Sequence, residues 1–321
     1  MHQTVRQYSE TRRPISMPLW LLGVTLGLSS FCSFSHADTG RLLATGGATS
    51  IEGAGGGGIV PWALISGLGS EDEWGITPFY SHLGTGGYSL SAAGVGFDYH
   101  NRLEVSLAHQ SLNVDLNNAN INTAINQNIL GIKVRLFGDA IFGQDSWVPQ
   151  VAAGIEYKQN DNFNSPTSSA LGTLPGIPKG LGAVSADGTD YYLAATKVFL
   201  DGFLGRNVLL NGTVRMTKAN QMGLLGFGGP TNNSYQLEGE VSAGIFLDQG
   251  NHALLGYEYR QNPNNGLSYV TPGLQQGNYQ DVFLAYIPTK TIALVAAYTQ
   301  LGALPLRAAE TGPYFSIQGS F

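Results

Sequence analysis

The last ten residues, from Gly312 to Phe321, constrain the fold of this chain more than any other stretch. In an extended strand Phe315, Ile317 and Phe321 share one face, and polar residues occupy most positions of the other face. Chain ends of soluble domains usually fray into water. A strand that closes a membrane barrel instead needs an apolar face for lipid and a polar face for the lumen, up to its end. We therefore predict that these three residues close a transmembrane β-barrel; an edge strand of a soluble sandwich is the alternative.

The composition of the chain fits membrane strands better than membrane helices. Only 12% of the residues are charged, against about 25% in an ordinary soluble protein. A membrane helix needs about 20 consecutive apolar residues, and no such run follows the N-terminal region. The formal net charge of −6 also argues against a nucleic-acid partner, which would require a basic surface.

The N-terminal region has the order of a secretory signal, which is a charged part, an apolar core and small residues before a cleavage point. The corresponding residues are Arg6, Arg12 and Arg13, then Pro18 to Leu28, then Ser35 and Ala37. We predict a signal peptide over residues 1–37 and a single outer-membrane barrel domain over residues 38–321. The one cysteine, Cys32, leaves with the signal, so we expect no disulfide and no thiolate metal site in the mature chain.

Alternating apolar and polar residues predict twelve antiparallel strands after residue 73. They are Trp74–Leu83, Tyr88–Tyr99, Arg102–Leu112, Ile129–Phe137, Trp147–Lys158, Asp190–Leu200, Asn207–Lys218, Tyr235–Leu247, His252–Gln261, Tyr279–Pro288, Thr291–Gln300 and Gly312–Phe321. Each is near the about 9–11 residues that a tilted strand needs to cross a bilayer. Two further strands, Arg41–Ser50 and Ile59–Leu68, raise the predicted total to fourteen. Twelve strands are the alternative if this Gly-rich start folds inside the barrel as a plug.

The predicted connections alternate between short and long, which is the pattern of an up-and-down barrel with short periplasmic turns and long outer loops. Both ends of the mature chain then lie on the periplasmic side, which requires an even number of strands. The longest loop, Gln159–Thr189, carries apolar residues that water alone would not hold outside: Leu171, Leu174, Ile177 and Leu181. We predict that this loop folds inward and narrows the lumen.

Charged residues on the strands must face the lumen, because a charge that faces lipid costs about 2–4 kcal/mol at mid-membrane. Strand alternation then places eight charged residues on the lumen wall: Lys133, Arg135, Glu156, Lys158, Glu238, Glu240, Glu258 and Arg260. Many of them lie on neighbouring strands, so cross-strand ion pairs are expected, and structural pairing is the alternative to solute contact. A wall with both signs of charge predicts weak charge selectivity.

His109 and Ser111 lie on one face of a predicted strand, and that face is the lipid side. The pair resembles the His-x-Ser arrangement of outer-membrane phospholipase A, in which a histidine base activates a serine nucleophile outside the barrel. The Asn-Gly that follows in that family is replaced here by Leu112 and Asn113. A polar strand end at the lipid headgroups is the alternative, and the other mature histidines show no metal-ligand spacing.

Four short segments resemble an uncharacterised family of bacterial outer-membrane β-barrels, known as domain of unknown function 3034. They are Gly40–Leu43 (GRLL), Val60–Ala63 (VPWA), Gly131–Val134 (GIKV) and Gln144–Trp147 (QDSW). The aromatic last residue is likewise similar to the closing strand of outer-membrane barrels, which typically end in Phe. The resemblance implies an all-β fold in the outer membrane, and it supplies no reaction and no ligand.

The sequence favours a porin-like channel for passive diffusion of small polar or mildly amphipathic solutes. On this interpretation the protein is not an enzyme and needs no cofactor and no metal. Its expected partners are outer-membrane lipid and lipopolysaccharide, the small solutes, and the barrel-assembly machinery, which would bind the C-terminal strand. The alternatives are a lipid hydrolase that uses His109 and Ser111, and a structural barrel with no transport role.

Overall fold

The structure is a computed structural model that describes residues 47–116, 121–169, 172–267, 276–304 and 307–321. The predicted signal peptide (residues 1–37) and most of the predicted strand Arg41–Ser50 lie outside these residues. Within the described ranges, no helix has the length and apolar character needed to span a bilayer.

The described residues form sixteen strands, β1 to β16, and one short α-helix, α1. In chain order they are β1 Ala48–Thr49, β2 Gly55–Gly56, β3 Trp74–Gly84, β4 Tyr88–Tyr99, β5 Leu103–Leu116, β6 Ile121–Phe137, β7 Gln150–Asn160, β8 Thr167–Ser169, β9 Gly172–Leu174, α1 Ile177–Gly180, β10 Asp187–Phe203, β11 Arg206–Thr217, β12 Gln236–Phe246, β13 Ala253–Arg260, β14 Tyr279–Thr289, β15 Ile292–Leu304 and β16 Arg307–Gly319. Twelve of them close into one antiparallel barrel, in the order β3-β4-β5-β6-β7-β10-β11-β12-β13-β14-β15-β16 and back to β3.

Each strand predicted after residue 73 is present, although several extend further into the loops. The predicted total of fourteen is wrong, and the alternative of twelve barrel strands with the Gly-rich start inside is confirmed. Ile59–Leu68 forms no barrel strand, because Pro61 cannot donate a ladder hydrogen bond. Apolar residues also occupy adjacent positions there instead of alternate ones, so the stretch has no polar face to turn toward a lumen.

The outer surface of the barrel is apolar across its middle. Along β6, for example, Leu130, Ile132 and Val134 are exposed, while Lys133 between them is buried. Aromatic side chains near one end of the barrel, Trp74 among them, are exposed as well, as in the interfacial belts of membrane proteins. An apolar exterior around a polar interior is the inverse of a soluble barrel and fits a lipid environment.

The C-terminal strand completes the barrel. Ile317 of β16 pairs with Tyr80 of β3, and the backbone of Phe321 exchanges two hydrogen bonds of 2.9 Å with that of Ile76. The side chains of Phe315, Ile317 and Phe321 are exposed on the outer surface. The seam of the barrel therefore lies between its first and its last strand.

The longest loops of the barrel lie together at one of its ends. The turns around Asn101 and Lys290 are short, whereas residues 161–186 and 218–235 form long connections. We call these ends periplasmic and outer, because outer-membrane barrels have their short turns on the periplasmic side.

Candidate functional site

The lumen is filled by the part of the chain that precedes β3. Every residue from Gly47 to Gly69 is buried, and we call this stretch the internal segment. It begins at the periplasmic end, where Gln318 Nε2 donates to the carbonyl of Gly47 (3.1 Å), and it returns to that end to enter β3. Between these points it reaches the outer half of β5, where Gln110 Nε2 donates to the carbonyl of Ile51 (2.8 Å).

Side chains of the wall hydrogen-bond to the backbone of the internal segment. The carboxylate of Glu104 accepts from the amides of Gly55 (2.9 Å) and Ser66 (2.7 Å). Lys133 Nζ donates to the carbonyl of Gly55 (2.8 Å) and lies 3.1 Å from Glu104 Oε2. Because buried backbone groups must be paired, these side chains supply hydrogen bonds beyond those of the short β1–β2 pair within the segment.

Trp62 anchors the internal segment to the side of the wall formed by β12 to β14. Its Nε1 donates to Ser242 Oγ (2.9 Å), and its ring centroid lies 6.4 Å from that of Phe283. Glu258 Oε2 accepts from the amide of Ile59 (3.0 Å). A cavity of about 20 Å³ remains between this part of the segment and the wall, which is room for about one water molecule. The segment therefore fits the lumen closely.

Glycines let the internal segment turn in this narrow space. Gly53 has a φ of +98°, a conformation that glycine adopts without a steric penalty. A Cβ on Gly57 would lie 1.8 Å from Glu258 Oε1. A larger residue at position 57 would therefore push the segment away from the wall.

Glu52 places a carboxylate of the internal segment among three cations of the wall. Its Oε1 contacts Lys158 Nζ and its Oε2 contacts Arg260 Nη1, and Arg215 Nη2 lies 3.7 Å from Oε2. Burial acts to raise the pKa of Glu52, but the charges of Arg260, Lys158 and Arg215 outweigh it and hold this pKa well below its ordinary value of 4.5. Glu52 is therefore ionised inside the barrel.

The same three cations also pair with carboxylates of the barrel strands. Glu156 Oε2 lies 3.2 Å from Lys158 Nζ and 2.7 Å from Arg215 Nη1. Glu240 Oε1 lies 2.5 Å from Arg215 Nε and 3.6 Å from Arg260 Nε. We call these strand residues the wall network: Lys158, Arg215, Arg260, Glu156, Asp190 and Glu240. Three cations face three carboxylates, so the wall network is balanced in charge without Glu52.

Carboxylates of this region approach one another closely enough to hold a metal ion. Oxygens of Glu52, Glu156 and Asp190 lie within 4.8 Å of one another. The ammonium group of Lys158 lies among them, 2.6 Å from Asp190 Oδ2. A cation of the protein itself therefore takes the position that a metal ion would need.

The other residues predicted on the lumen wall lie apart from the wall network. Lys133 and Glu258 bind the internal segment, as described above. Glu238 is buried on the inward face of β12. Arg135 lies at the periplasmic end, where its Nη2 donates to the carbonyl of Gly138 (2.7 Å). Of the eight predicted residues, the structure brings four together in the wall network: Glu156, Lys158, Glu240 and Arg260.

Two outer loops cover the lumen from above. In the predicted constriction, Gln159–Thr189, the side chains of Ile177 and Leu181 are buried, while Leu171 and the side chain of Leu174 lie outside the described part of the structure. The second loop comprises residues 219–228, which we call the outer cap, and it folds into the outer mouth of the barrel. The sequence did not predict that this loop covers the lumen. Phe227 of the outer cap is 0% exposed.

A chain of hydrogen bonds connects the outer cap to the internal segment through the wall. Gln127 Nε2 donates to the carbonyl of Met222 in the cap and to Gln110 Oε1 on the neighbouring strand, both at 3.1 Å. Gln110 in turn donates to the carbonyl of Ile51, at the tip of the segment. The outer cap and the internal segment are therefore linked to each other through Gln127 and Gln110 of the wall.

His109 and Ser111 lie on the outward face of β5, directly beyond Leu107, which is 55% exposed. His109 Nδ1 lies 2.8 Å from Asn128 Oδ1 on β6, and Asn128 Nδ2 donates to Asp161 Oδ2 (2.8 Å). An amide thus orients the histidine, and sequence reasoning did not identify it. Asn128 was missed because the predicted strand begins at Ile129, whereas in the structure His109 and Asn128 are directly opposite in the β5–β6 register.

Sequence reasoning also missed Glu52 and Trp62, the two residues that attach the internal segment most specifically. Glu52 falls in the Gly-rich stretch between the predicted strands Arg41–Ser50 and Ile59–Leu68, and Trp62 falls in the second of these strands. Pro61 inside an apolar run that does not alternate was the available clue, because a membrane strand needs both alternation and ladder donors.

A closed antiparallel barrel with an apolar exterior and a charged, filled interior defines a porin-like β-barrel of the bacterial outer membrane. The chain belongs to the family described as "Protein of unknown function (DUF3034)", which matches residues 45–318. None of the curated proteins compared with the chain matches it.

Several solved structures are similar to this chain at low identity. The KdgM porin is 10% identical with a TM-score of 0.41, over 76% of this chain and 99% of that chain. The NanC porin is 10% identical with a TM-score of 0.43, over 76% of this chain and 98% of that chain. The outer membrane protein Omp33 of Acinetobacter baumannii is 11% identical with a TM-score of 0.41, over 79% of this chain and 100% of that chain.

Proposed function

We propose that the protein is a gated porin-like channel, through which small polar or mildly amphipathic solutes diffuse once the internal segment has left the lumen. A permanently open pore is incompatible with a lumen in which every residue from Gly47 to Gly69 is buried. Conduction therefore requires a second state in which the segment is displaced.

The observation that carries the proposal is the charge balance of the wall network. Removing one partner of a buried ion pair costs about 3–5 kcal/mol, because the other charge is left unpaired. Departure of Glu52 leaves no such charge, since Lys158, Arg215 and Arg260 keep carboxylate partners on the strands. The barrel wall is thus suited to an empty, hydrated lumen as well as to a filled one.

Strand number supports the same proposal. A barrel of about eight strands fills its interior with its own side chains, and barrels of 16–18 strands leave an aqueous channel. Twelve strands lie between these limits. The interior of this barrel is filled by chain outside the barrel strands, chiefly by the internal segment, and that segment can leave without unfolding the wall.

The proposal predicts that reversing the charge of Glu52 opens the channel. In Glu52→Lys a cation would face Lys158, Arg215 and Arg260, which repel it, while no residue of the barrel strands is changed. Purified full-length protein should show little conductance in a planar bilayer as wild type and clear single-channel steps as Glu52→Lys. A third variant, Glu52→Lys with residues 221–227 of the outer cap replaced by a short glycine linker, should conduct more than Glu52→Lys.

The matched control is Glu71→Lys, which makes the same charge change at an exposed position between the internal segment and β3. This variant should conduct no more than the wild type. Heat-modifiable mobility on a gel verifies that each variant is a folded barrel. If folded Glu52→Lys is silent both with and without the outer cap, the channel proposal fails.

A second candidate function is hydrolysis of a membrane lipid at the outer surface of the barrel. It is favoured by the hydrogen-bonded series His109, Asn128 and Asp161, because a histidine base needs a third group to fix its tautomer and orientation. Ser111 is the next outward-facing residue of the same strand. The pair lies where the apolar outer face of β5 gives way to polar residues, beyond Leu107.

This candidate predicts release of fatty acid from phospholipid micelles by the folded protein. Ser111→Ala should lower the rate by at least about 100-fold, as expected for loss of a nucleophile served by a general base, and Asn128→Ala should lower it by less. Ser89→Ala, which removes a hydroxyl from the outward face of β4, is the matched control and should keep the wild-type rate. Absence of release by the wild type, or an equal loss in the control, would exclude the hydrolase.

A further inference from the structure

The three cations around Glu52 form a site for a carboxylate that is built into the wall. We propose that Lys158, Arg215 and Arg260 bind the carboxylate of a singly charged solute, such as a sugar acid, and that Glu52 occupies this site until the solute replaces it. This inference rests on the proposed channel function, since it names the class of solute that the channel would admit and the event that would open it.

Glu52 contacts the site as a bound ligand would. Each of its oxygens contacts a different cation, Oε1 with Lys158 and Oε2 with Arg260, and its side chain is 1% exposed. Yet Glu52 belongs to the internal segment and not to the barrel. The wall therefore provides a preformed carboxylate site, and the chain supplies an occupant from within.

The site has donors that Glu52 does not use. Arg215 Nη2, which lies 3.7 Å from Glu52 Oε2, and Arg260 Nε have no hydrogen-bond partner although both are buried. A guanidinium group has five N–H donors in a planar fork and prefers to bind carboxylates with two of them. A free carboxylate, which is not tied to a backbone, can take these donors more completely than Glu52 does.

The charge of the site selects a monoanion. Glu52 is the fourth carboxylate beside three cations, because Glu156, Asp190 and Glu240 already neutralise them. A solute with one negative charge replaces Glu52 without changing the total charge of the site. A dianion such as phosphate would add a charge among three wall carboxylates and be repelled, so carboxylates are favoured over phosphates.

The location of the site suits a solute that enters from outside. Arg260 is the last residue of β13, and Lys158 and Arg215 lie two residues before the outer ends of β7 and β11. These cations are therefore near the outer mouth, beneath the outer cap. A solute that passes the cap would meet the carboxylate site near the tip of the internal segment, next to Ile51.

The inference is tested by removing the occupant and offering a small replacement. In full-length Glu52→Ala, sodium acetate should raise the temperature of the heat-modifiability transition by about 2–4 °C relative to sodium chloride at the same ionic strength. Ile51→Ala is the matched control: it removes a buried side chain from the adjacent position, leaves Glu52 in the site and should respond equally to both salts. If Glu52→Ala folds only in acetate, the refolding yield is the readout. An equal effect of the two salts, no refolding in either, or the same acetate effect in Ile51→Ala overturns the inference.

A second measurement uses the wild type. Gluconate should increase single-channel openings at concentrations at which sorbitol, its uncharged counterpart, has no effect, and Lys158→Met should abolish that difference. Equal effects of gluconate and sorbitol overturn the inference. The two proposals can fail separately. If acetate stabilises Glu52→Ala but no variant conducts, the channel proposal is wrong and the carboxylate site stands. If the channel conducts but acetate has no specific effect on Glu52→Ala, the carboxylate site is wrong and the channel proposal stands.

Discussion

Glu52 shows how a single residue can hold an irregular stretch of chain inside a barrel. A carboxylate without a partner would lose its charge in a buried position. Here Lys158 and Arg260 contact its two oxygens, so the ionised form is the stable one. The attachment is electrostatic and local, and it contributes only while Glu52 carries its charge.

This attachment predicts a specific pH dependence. The pKa of Glu52 is lower in the folded protein than its ordinary value of 4.5, so its contribution to stability is fully present above about pH 4.5 and is lost progressively as the pH falls further. The difference in unfolding free energy between the wild type and Glu52→Gln should therefore be constant from pH 7 to pH 5 and shrink below pH 4.5. Thermal melts of both proteins across this range measure it, and a difference that already changes between pH 7 and pH 5 would contradict the assignment.

Residues of the wall could be predicted from the sequence because each lies on a strand with a period of two. Lys133, Glu156 and Arg260 are assigned to the inside by alternation and by the cost of facing lipid. Their partners could not be predicted in the same way. Glu52 and Trp62 lie on chain without a repeating pattern, and their positions follow from the shape of a lumen that exists only after the barrel has closed.

At the scale of elements, the barrel strands and the internal segment obey different rules. A barrel strand satisfies its backbone through its neighbours, so its sequence must supply alternation and donors. The internal segment satisfies its backbone partly through the short β1–β2 pair and its own turns and partly through wall side chains such as Glu104 and Lys133. It therefore tolerates Pro61 and a run of glycines. This difference explains why the strands after residue 73 were predictable and why the predicted strand Ile59–Leu68 was wrong.

The loops illustrate the same limit. The apolar content of Gln159–Thr189 indicated that this loop folds inward, and Ile177 and Leu181 are indeed buried. The outer cap carries comparable apolar residues, Leu224, Leu225 and Phe227, but reads as an ordinary glycine-rich loop. Its place in the mouth depends on hydrogen bonds from distant strands, among them Asn160 Nδ2 to the carbonyl of Leu224 (2.7 Å), which no local pattern encodes.

At the scale of the whole molecule, closure of the barrel depends on the meeting of its first and last strands. The backbone of Phe321 exchanges two hydrogen bonds with that of Ile76, while the residue as a whole is 58% exposed on the outer surface. The backbone of Phe321 therefore stabilises the seam between the first and the last strand. Its ring is available to contact lipid or the barrel-assembly machinery, and we propose that this machinery binds the C-terminal strand.

These two roles can be separated by mutation. Deletion of Phe321 should lower the unfolding free energy by about 1–3 kcal/mol, because two hydrogen bonds of about 0.5–1.5 kcal/mol each are lost, and should also reduce the amount of assembled barrel in cells. Phe321→Ala keeps the backbone bonds, so it should leave the stability of detergent-refolded protein nearly unchanged and reduce assembly alone. Normal assembly of Phe321→Ala would show that the ring is not recognised. Melting curves and heat-modifiable gels of membrane fractions supply both measurements.

The internal segment enters and leaves the barrel at the same end, with Gly47 beside Gln318 and its far end joined to β3. Its path is therefore a loop inserted into a tube and not a thread drawn through it. Over the described residues from Gly47 to β3, no strand has to open for this loop to move in or out. This path does not fix the order of assembly. The wall can close first, and the internal segment can then insert from the periplasmic side.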